Sequence, residues 1–180
     1  MRYLASDYGK YKKYGGNFFS IIFLTQAFWA IFQYRFANYC YNLKIPVLKP
    51  ILLMGCLIWQ KSIEIITGIS IPYSVKIGSQ FYIGHFGGII INANAEIGNN
   101  CNISQGVTIG VSGRGDNRGV PNIGDNVYIG ANAVVAGKIQ VGDNCVIAAN
   151  SLVTKTVEPN TTVMGVPANK VNSNTSEGYI

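Results

Sequence analysis

The chain has 180 residues, of which 48% are hydrophobic and only 12% are charged, whereas globular domains usually carry about 25% charged residues. This composition excludes a disordered chain and a charge-rich coiled coil, and the glycines follow no Gly-X-Y period, which excludes collagen. The net charge of +6 lies entirely in residues 1–50, because residues 51–180 hold seven bases and seven acids.

Residues 1–69 are predicted to form an α-helical region that is both basic and aromatic. From residue 17 onwards Phe, Ile, Leu, Trp and Tyr dominate, and polar residues recur between them at helical spacing. We expect two or three helices, interrupted near Ile45-Pro46 and again before Pro50, because proline disfavours a helical conformation in the residue before it. The most apolar run, Phe18–Phe32, is shorter than the roughly 20 residues that cross a bilayer.

Two interpretations of this region stay open. Its helices can pack against neighbouring copies in an oligomer, or they can also lie on an anionic membrane surface through residues 1–50. Nucleic acid is not an expected partner, because apolar side chains dominate the segment rather than a Lys/Arg face. We expect a cytoplasmic protein, with attachment to the inner face of the cytoplasmic membrane as the sharper alternative. The basic residues concerned are Arg2, Lys10, Lys12, Lys13, Arg35, Lys44 and Lys49.

Residues 70–171 repeat with a period of six. An apolar β-branched residue marks each of thirteen units, and a glycine or alanine often follows it. Such a repeat predicts one short strand and one turn per unit, with three units in each triangular coil and the marking residue pointing inward. Gly, Asn and Asp are expected at the corners, where the backbone needs a positive φ. The marking residues are Ile71, Ile77, Ile83, Ile91, Ile97, Ile103, Ile109, Ile123, Ile129, Val135, Val141, Ile147 and Val153.

Two steps depart from this period. The step from Ile83 to Ile91 is two residues too long, which predicts an extra Gly-Ile bulge directly after His85. The step from Ile109 to Ile123 is eight residues too long, and its excess, residues 111–121, is a polar, glycine-rich loop that should protrude from the coil. Loops on a rigid scaffold often carry function. Residues 172–180 are predicted to form a C-terminal tail.

No metal site is predicted. The four cysteines form no C-x-x-C pair and the chain has a single histidine, so a Cys/His zinc site is not expected. We interpret the cysteines as reduced thiols of a cytosolic protein.

The hexapeptide pattern resembles that of the left-handed parallel β-helix acyltransferases, and three features resemble the serine acetyltransferase family in particular. They are the apolar-x-His-x-x-Gly stretch with its eight-residue step, the Q-x-V-T-[IL]-G segment before the protruding loop, and the Gly-Val-Pro-Ala run that begins at Gly165. The upstream stretch that begins at Phe28 is similar to the helix preceding the β-helix in those enzymes. The resemblance covers residues 25–171. It implies a mostly β fold, a left-handed parallel β-helix preceded by an α-helical N-terminal domain.

The resemblance also implies acetyl transfer from acetyl-CoA to a hydroxyl group, with His85 as the general base. An imidazole accepts protons near neutral pH and therefore suits the removal of a hydroxyl proton during attack on the thioester. Direct transfer in a ternary complex needs neither a metal nor a cysteine nucleophile.

In this family CoA lies in a groove between neighbouring β-helices, which implies a homotrimer or a dimer of trimers. Ala131 and Ala149 match family positions that contact CoA. Lys155 and Lys170 are candidates for its phosphates, and solvated lysines are the equally open alternative. The candidates for contact with the acceptor are Arg114, Asp116 and Arg118 on the loop and Ser70 in the coil.

The chain departs from the family at three polar sites. Ser70 stands where the family has an aspartate that orients the histidine, Gly84 replaces a second aspartate, and Gly119-Val120 replaces an Arg-His pair. Because a zwitterionic amino acid needs charged partners, we expect a changed acceptor, a sugar hydroxyl in surface polysaccharide biosynthesis. The first alternative is a serine O-acetyltransferase that makes O-acetylserine for cysteine biosynthesis. The second is a non-catalytic β-helical scaffold.

Overall fold

The computed structural model describes residues 3–180, so Arg2, one of the predicted basic residues, lies outside the described residues. The N-terminal region contains the helices α1 (Leu4–Lys13), α2 (Gln26–Tyr41) and α3 (Leu48–Thr67), with a π-helical turn, Ser20–Leu24, before α2. α2 packs against α3, and both helices contact the first strand. By length and apolar composition α3 is the one helix of residues 3–180 that would be able to cross a membrane.

The helix boundaries differ from the prediction at Pro50. The expected interruption near Ile45-Pro46 is present between α2 and α3. Pro50, however, lies in the first turn of α3 rather than after a break. Proline is tolerated there because the N–H groups of the first turn have no acceptor within the helix. The helix ends at Gly68, whose φ of 66° lets the chain turn directly into the first strand.

The rest of the chain forms a three-sided β-helix built from short strands. The strands are β1 (Ile69–Ser70), β2 (Lys76–Ile77), β3 (Tyr82–Ile83), β4 (Ile89–Ile91), β5 (Glu96–Ile97), β6 (Asn102–Ile103), β7 (Thr108–Gly110), β8 (Asn122–Ile123), β9 (Tyr128–Ile129), β10 (Val134–Ala136), β11 (Gln140–Val141), β12 (Val146–Ile147), β13 (Leu152–Val153), β14 (Thr162–Gly165) and β15 (Ala168–Asn172).

Every third strand joins the same sheet, as the repeat predicts. Sheet A contains β1, β4, β7, β10 and β13, sheet B contains β2, β5, β8 and β11, and sheet C contains β3, β6, β9, β12, β14 and β15. All pairings are parallel except that of β14 with β15, a hairpin that ends sheet C. The chain passes from sheet A to B to C in each coil, which creates an A–B, a B–C and a C–A corner.

The marking residues of the repeat form the core, which confirms the prediction. All thirteen are at most 5% exposed. In sheet C, for example, the pairing stacks Ile83 on Ile103, Ile103 on Ile129 and Ile129 on Ile147. Burying one such side chain contributes about 1.5–3 kcal/mol. The stacks therefore stabilise coils that could not bury an apolar face alone.

Asparagine forms most of the corners that need a positive φ. Among residues 3–180 the non-glycine residues with positive φ are six asparagines and Gln80, so aspartate does not take the corner role expected for it. At the B–C corner the asparagine amides also form a ladder, in which Asn100 Nδ2 donates to Asn126 Oδ1 at 2.8 Å and Asn126 Nδ2 donates to Asn144 Oδ1 at 3.0 Å. Short polar side chains with local hydrogen bonds tolerate this conformation better than most.

A buried ion pair fastens α1 and α2 to the coil. Asp7 Oδ2 lies 2.7 Å from Arg35 Nε, and both side chains are almost completely buried. Arg35 also donates to the carbonyl oxygens of Ile77 and Gly78, and Asp7 accepts the N–H of Phe81. Lys10 is buried too. Two of the basic residues predicted to face a membrane surface, Lys10 and Arg35, therefore lie inside the protein instead.

Candidate active site

His85 lies at the C–A corner directly after β3. The end of β3 is fixed on both sides, because Gly84 N–H donates to the Ile103 carbonyl at 3.1 Å and Tyr11 Oη donates to the Ile83 carbonyl at 2.9 Å. His85 itself is exposed. The imidazole is thus carried by a rigid strand end and is open to a ligand.

Backbone pairing locates the two extra residues of this coil. In the regular corners Asn132 N–H donates to the Gln105 carbonyl and Asn150 N–H donates to the Ala131 carbonyl; in the irregular corner Gly106 N–H donates to the Gly87 carbonyl. Gly87 therefore takes the ordinary corner place, and the extra residues are His85 and Phe86 rather than a bulge after His85. The next residue, Gly88, has a φ of 68° and so takes the left-handed place that Asn132 and Asn150 hold in the regular corners.

The end of α3 closes directly on this bulge. A Cβ on Gly68 would lie 3.1 Å from the Gly88 nitrogen and 3.2 Å from the Gly87 Cα. The Gly68 carbonyl also accepts the Ile89 N–H at 3.0 Å. The backbone that follows α3 and the backbone that follows His85 are therefore in contact.

Ser70, which was predicted to contact the acceptor, is hydrogen-bonded to a carboxylate. Its Oγ donates to Glu64 Oε1 at 2.8 Å across the turn at Gly68. Gln60 Nε2 donates to the same oxygen at 2.8 Å, and Lys61 Nζ lies 2.6 Å from Oε2. Burial raises the pKa of Glu64, but the hydrogen bonds from Lys61, Gln60 and Ser70 outweigh it, so the pKa lies below its ordinary value. Sequence reasoning missed Glu64 and treated this side of the site as free of carboxylates.

The two alanines predicted to contact CoA share the C–A corner with His85. Ala131 follows β9 and Ala149 follows β12, each two residues after the inward-facing isoleucine, in the place that Gly87 takes in the coil of His85. Ala149 is exposed and Ala131 is half-buried. The corner therefore presents small side chains on its third and fourth coils, with Gln105 on the coil between them and the imidazole, and a slender ligand can approach the coil backbone over the alanines.

The predicted lysines lie apart from the two alanines. Lys155 is exposed after β13, at the A–B corner, and Lys170 is exposed on β15. The structure thus places neither lysine on the C–A corner itself.

The protruding loop leaves the coil from a different corner. It runs between β7 and β8, at the A–B corner, and is closed by backbone hydrogen bonds between Ser112 and Gly119. Lys138 Nζ donates to the Asp116 carbonyl at 3.3 Å and holds its tip. Arg114, Asp116 and Arg118 are exposed. Within one chain these residues lie on another corner than His85, which the sequence pattern does not reveal.

The described residues contain no group of three His, Cys, Asp or Glu side chains able to hold a metal ion. All four cysteines are buried and unpaired. Burial raises the pKa of the Cys101 thiol to about 12. Burial, together with the smaller effect of the neighbouring Cys40 thiol, raises the pKa of Cys56 to about 11. These two thiols stay protonated at neutral pH and do not suit a nucleophilic role.

The chain is similar to hexapeptide-repeat transferases and to serine acetyltransferases. A family model described as bacterial transferase hexapeptide (six repeats) matches residues 121–155. A serine acetyltransferase of Synechococcus elongatus is 31% identical over 151 residues, which are 84% of this chain and 59% of that protein. The chain thus spans little more than half the length of that relative.

Solved structures match over nearly the whole chain. A serine acetyltransferase from Brucella abortus superposes with a TM-score of 0.83 at 30% identity, covering 96% of this chain and 69% of that one. A Neisseria gonorrhoeae serine acetyltransferase in complex with serine gives 0.78 at 31% identity, covering 94% and 67%. A serine acetyltransferase in complex with CoA gives 0.79 at 29% identity, covering 93% and 68%.

Proposed function

Since the chain belongs to the serine acetyltransferase-like family of hexapeptide-repeat, left-handed β-helix proteins, we propose that it is an acetyl-CoA-dependent O-acetyltransferase. The observation that carries the proposal is the exposed imidazole of His85, which is one of the two extra residues at the corner that also presents Ala131 and Ala149. A relative of the same fold binds CoA.

In this mechanism His85 acts as the general base. Its unprotonated ring nitrogen takes the proton of the acceptor hydroxyl while the hydroxyl oxygen attacks the thioester carbon. The carbon–sulfur bond then breaks, and the CoA sulfur leaves with the proton that the imidazolium returns. The acetyl ester and free CoA thiol are the products, and His85 ends unprotonated. No residue is acylated.

Acetyl-CoA, in this proposal, lies along the C–A corner with its pantetheine arm over Ala131 and Ala149. A single convex corner cannot enclose such a ligand. The groove therefore needs a neighbouring coil, and we propose a homotrimer or a dimer of trimers. In such an assembly the loop carrying Arg114, Asp116 and Arg118 belongs to a different corner from His85 and serves the site of a neighbour. Lys155 and Lys170 remain candidates for the CoA phosphates.

L-serine is the acceptor that the relatives favour over a sugar. The sequence argument for a sugar depended on missing carboxylates at Ser70 and Gly84. Glu64 weakens that argument, because its ionised carboxylate is hydrogen-bonded to Ser70. Relatives that share 30–31% identity are serine acetyltransferases, and one was solved with serine bound.

An acceptor panel tests this proposal. CoA release from acetyl-CoA is measured with L-serine, with L-alanine, which lacks the hydroxyl, and with a set of sugars and amino sugars. We expect release that depends on L-serine and is absent with L-alanine. Release with a sugar and not with serine would reassign the acceptor, whereas no release with any hydroxyl compound would support a non-catalytic scaffold.

A further inference from the structure

A general-base histidine needs a partner for its second ring nitrogen. The hydrogen bond made by that nitrogen fixes the tautomer and the ring orientation, and a carboxylate in this place also stabilises the imidazolium formed during catalysis. The candidate partner of His85 must therefore lie close to the bulge at the C–A corner.

Glu64 is the carboxylate whose helix closes on that bulge. It lies on the last turns of α3, and the turn that follows packs Gly68 against Gly87 and Gly88. The other seven carboxylates lie elsewhere. Asp7 pairs with Arg35, Glu96 is on sheet B and Asp116 is on the protruding loop. Asp125, Asp143 and Glu158 are at the B–C corner, and Glu177 is near the C-terminus.

Ser70 provides the connection between this carboxylate and the corner. It lies on the first strand of sheet A, two residues after Gly68, and its side chain is half-buried and turned outward from the core. A hydroxyl donates one hydrogen bond and accepts others. Because the Ser70 hydroxyl donates to Glu64, its oxygen keeps lone pairs for a donor such as an imidazole N–H.

We propose that Glu64 is a positioning residue for His85 and acts through Ser70. The imidazole N–H donates to Ser70 Oγ, and Ser70 O–H donates to Glu64, while the other ring nitrogen faces the acceptor hydroxyl. No proton moves along this relay. Gln60 and Lys61 hold the carboxylate in place and keep it ionised. The inference rests on the proposed acetyltransferase function.

The test combines three variants with the acetyl-CoA and L-serine assay. Glu64→Gln keeps the size of the side chain and removes its charge, and Ser70→Ala removes the relay. Each is expected to lower kcat by about 10- to 100-fold, with little change in the KM for acetyl-CoA. The double variant Glu64→Gln/Ser70→Ala should be little worse than either single variant, because residues in one relay are not additive.

Rescue distinguishes a positioning role from a structural one. Glu64→Gln/Ser70→Asp places the carboxylate directly at residue 70 and is expected to recover most of the kcat lost in Glu64→Gln. Glu96→Gln, which breaks the exposed pair with Lys76 on sheet B, is the matched control and should behave as wild type.

The outcomes are separable. If wild type releases CoA with serine but Glu64→Gln retains its full kcat, the relay is refuted and the acetyltransferase function stands. If both variants lose activity and Ser70→Asp rescues nothing, Glu64 is structural only. If wild type transfers no acetyl group, the proposed function fails before the relay is tested.

A different observation carries a second inference, on the surface of α3. Val47, Ile51, Met54, Ile58 and Ile65 follow one side of the helix and are 66–85% exposed, whereas the opposite side packs into the protein through Cys56, Gln60, Ile63 and Thr67. We call the exposed side the outer face of α3. A helix that is apolar all round is normally covered on both sides.

The charges around the outer face indicate what covers it. Lys44 before α3 and Lys61 on α3 are exposed, and Lys49 is half-buried over the Tyr41 ring. The one acid of the helix, Glu64, is paired with Lys61. Four further apolar side chains, those of Phe18, Phe19, Phe23 and Leu24, are exposed in or beside the π-helical turn. An apolar helix with basic flanks and exposed aromatic rings fits an anionic lipid surface.

We infer that α3 lies flat on an anionic membrane surface and contacts it with its outer face. It does not cross the bilayer, because its inner side packs against α2 and β1. This refines the sequence prediction for residues 1–50: Arg35 and Lys10 face the protein interior, and the attachment passes instead through α3 with the exposed Lys44 and Lys61.

Flotation tests this attachment. The full chain is mixed at low salt with vesicles of phosphatidylcholine containing phosphatidylglycerol, and most of it is expected to float. High salt should release it, because it screens the charges. Ile58→Asn/Ile65→Asn should reduce the floating protein to a minor fraction, and Met164→Asn/Val171→Asn, which alters exposed apolar residues of the β14–β15 hairpin, should not.

Three results would overturn the membrane inference. The first is that the chain does not float with anionic vesicles at low salt. The second is that it floats equally with vesicles of pure phosphatidylcholine. The third is that Ile58→Asn/Ile65→Asn floats as well as wild type. If the chain stays soluble and Ile58→Asn/Ile65→Asn alters the sedimentation of the oligomer, a second copy covers the outer face instead.

Discussion

Replacement of His85 by alanine or asparagine is expected to lower kcat for acetyl transfer by about 10²–10⁴-fold, the usual contribution of a general base. The loss should appear in kcat rather than in the KM for acetyl-CoA, because the imidazole acts on the acceptor hydroxyl. The measurement is steady-state CoA release with saturating acetyl-CoA and acceptor.

The fold should survive this substitution. His85 is exposed and the strand before it is held by backbone bonds to Ile103 and by Tyr11. We therefore expect unchanged circular dichroism and an unchanged melting temperature for His85→Asn. Retention of more than about half of the wild-type rate would contradict a general-base role.

The largest expected effect on stability is that of Asp7→Asn. This change leaves the Arg35 guanidinium buried without its anion, and removing one partner of a buried ion pair typically costs about 3–5 kcal/mol. The free energy of unfolding, measured by denaturant titration at one protein concentration, should fall by that amount. A fixed concentration is needed because assembly also contributes to the stability of an oligomer.

The matched comparison is Glu96→Gln. It breaks an ion pair whose side chains are largely in solvent, and such pairs contribute about 0–1 kcal/mol. Asp7→Asn/Arg35→Met, which removes both charges, should recover part of the loss. Equal effects of Asp7→Asn and Glu96→Gln would show that the buried pair does not fasten the helices to the coil.

The β-helix was predictable because its signal repeats. One inward residue every six positions fixes the sheet, the face and the stack of each strand, and all thirteen marking residues are buried where the period places them. α1 was not predictable in the same way. Its sequence is short, polar and interrupted by Gly9, and its place depends on the distant partners Arg35 and Phe81 of Asp7.

The candidate site was predictable only in part, for a related reason. His85 could be singled out because it is the one histidine and lies beside an irregular step of the repeat. Glu64 could not, because its contact with Ser70 depends on the left-handed turn at Gly68, which folds the end of a helix back over a strand. The corner from which residues 111–121 leave also follows from the coil geometry rather than from local sequence.

Product analysis with L-serine tests the central claim most directly. The purified 180-residue chain is incubated with acetyl-CoA and L-serine, and both free CoA and O-acetylserine are quantified by mass spectrometry over time. We predict that the two products form in equal amounts with wild type and that neither forms above background with His85→Asn. CoA release without O-acetylserine, or equal product from His85→Asn, would contradict the proposal that this corner of the β-helix transfers acetyl groups to serine.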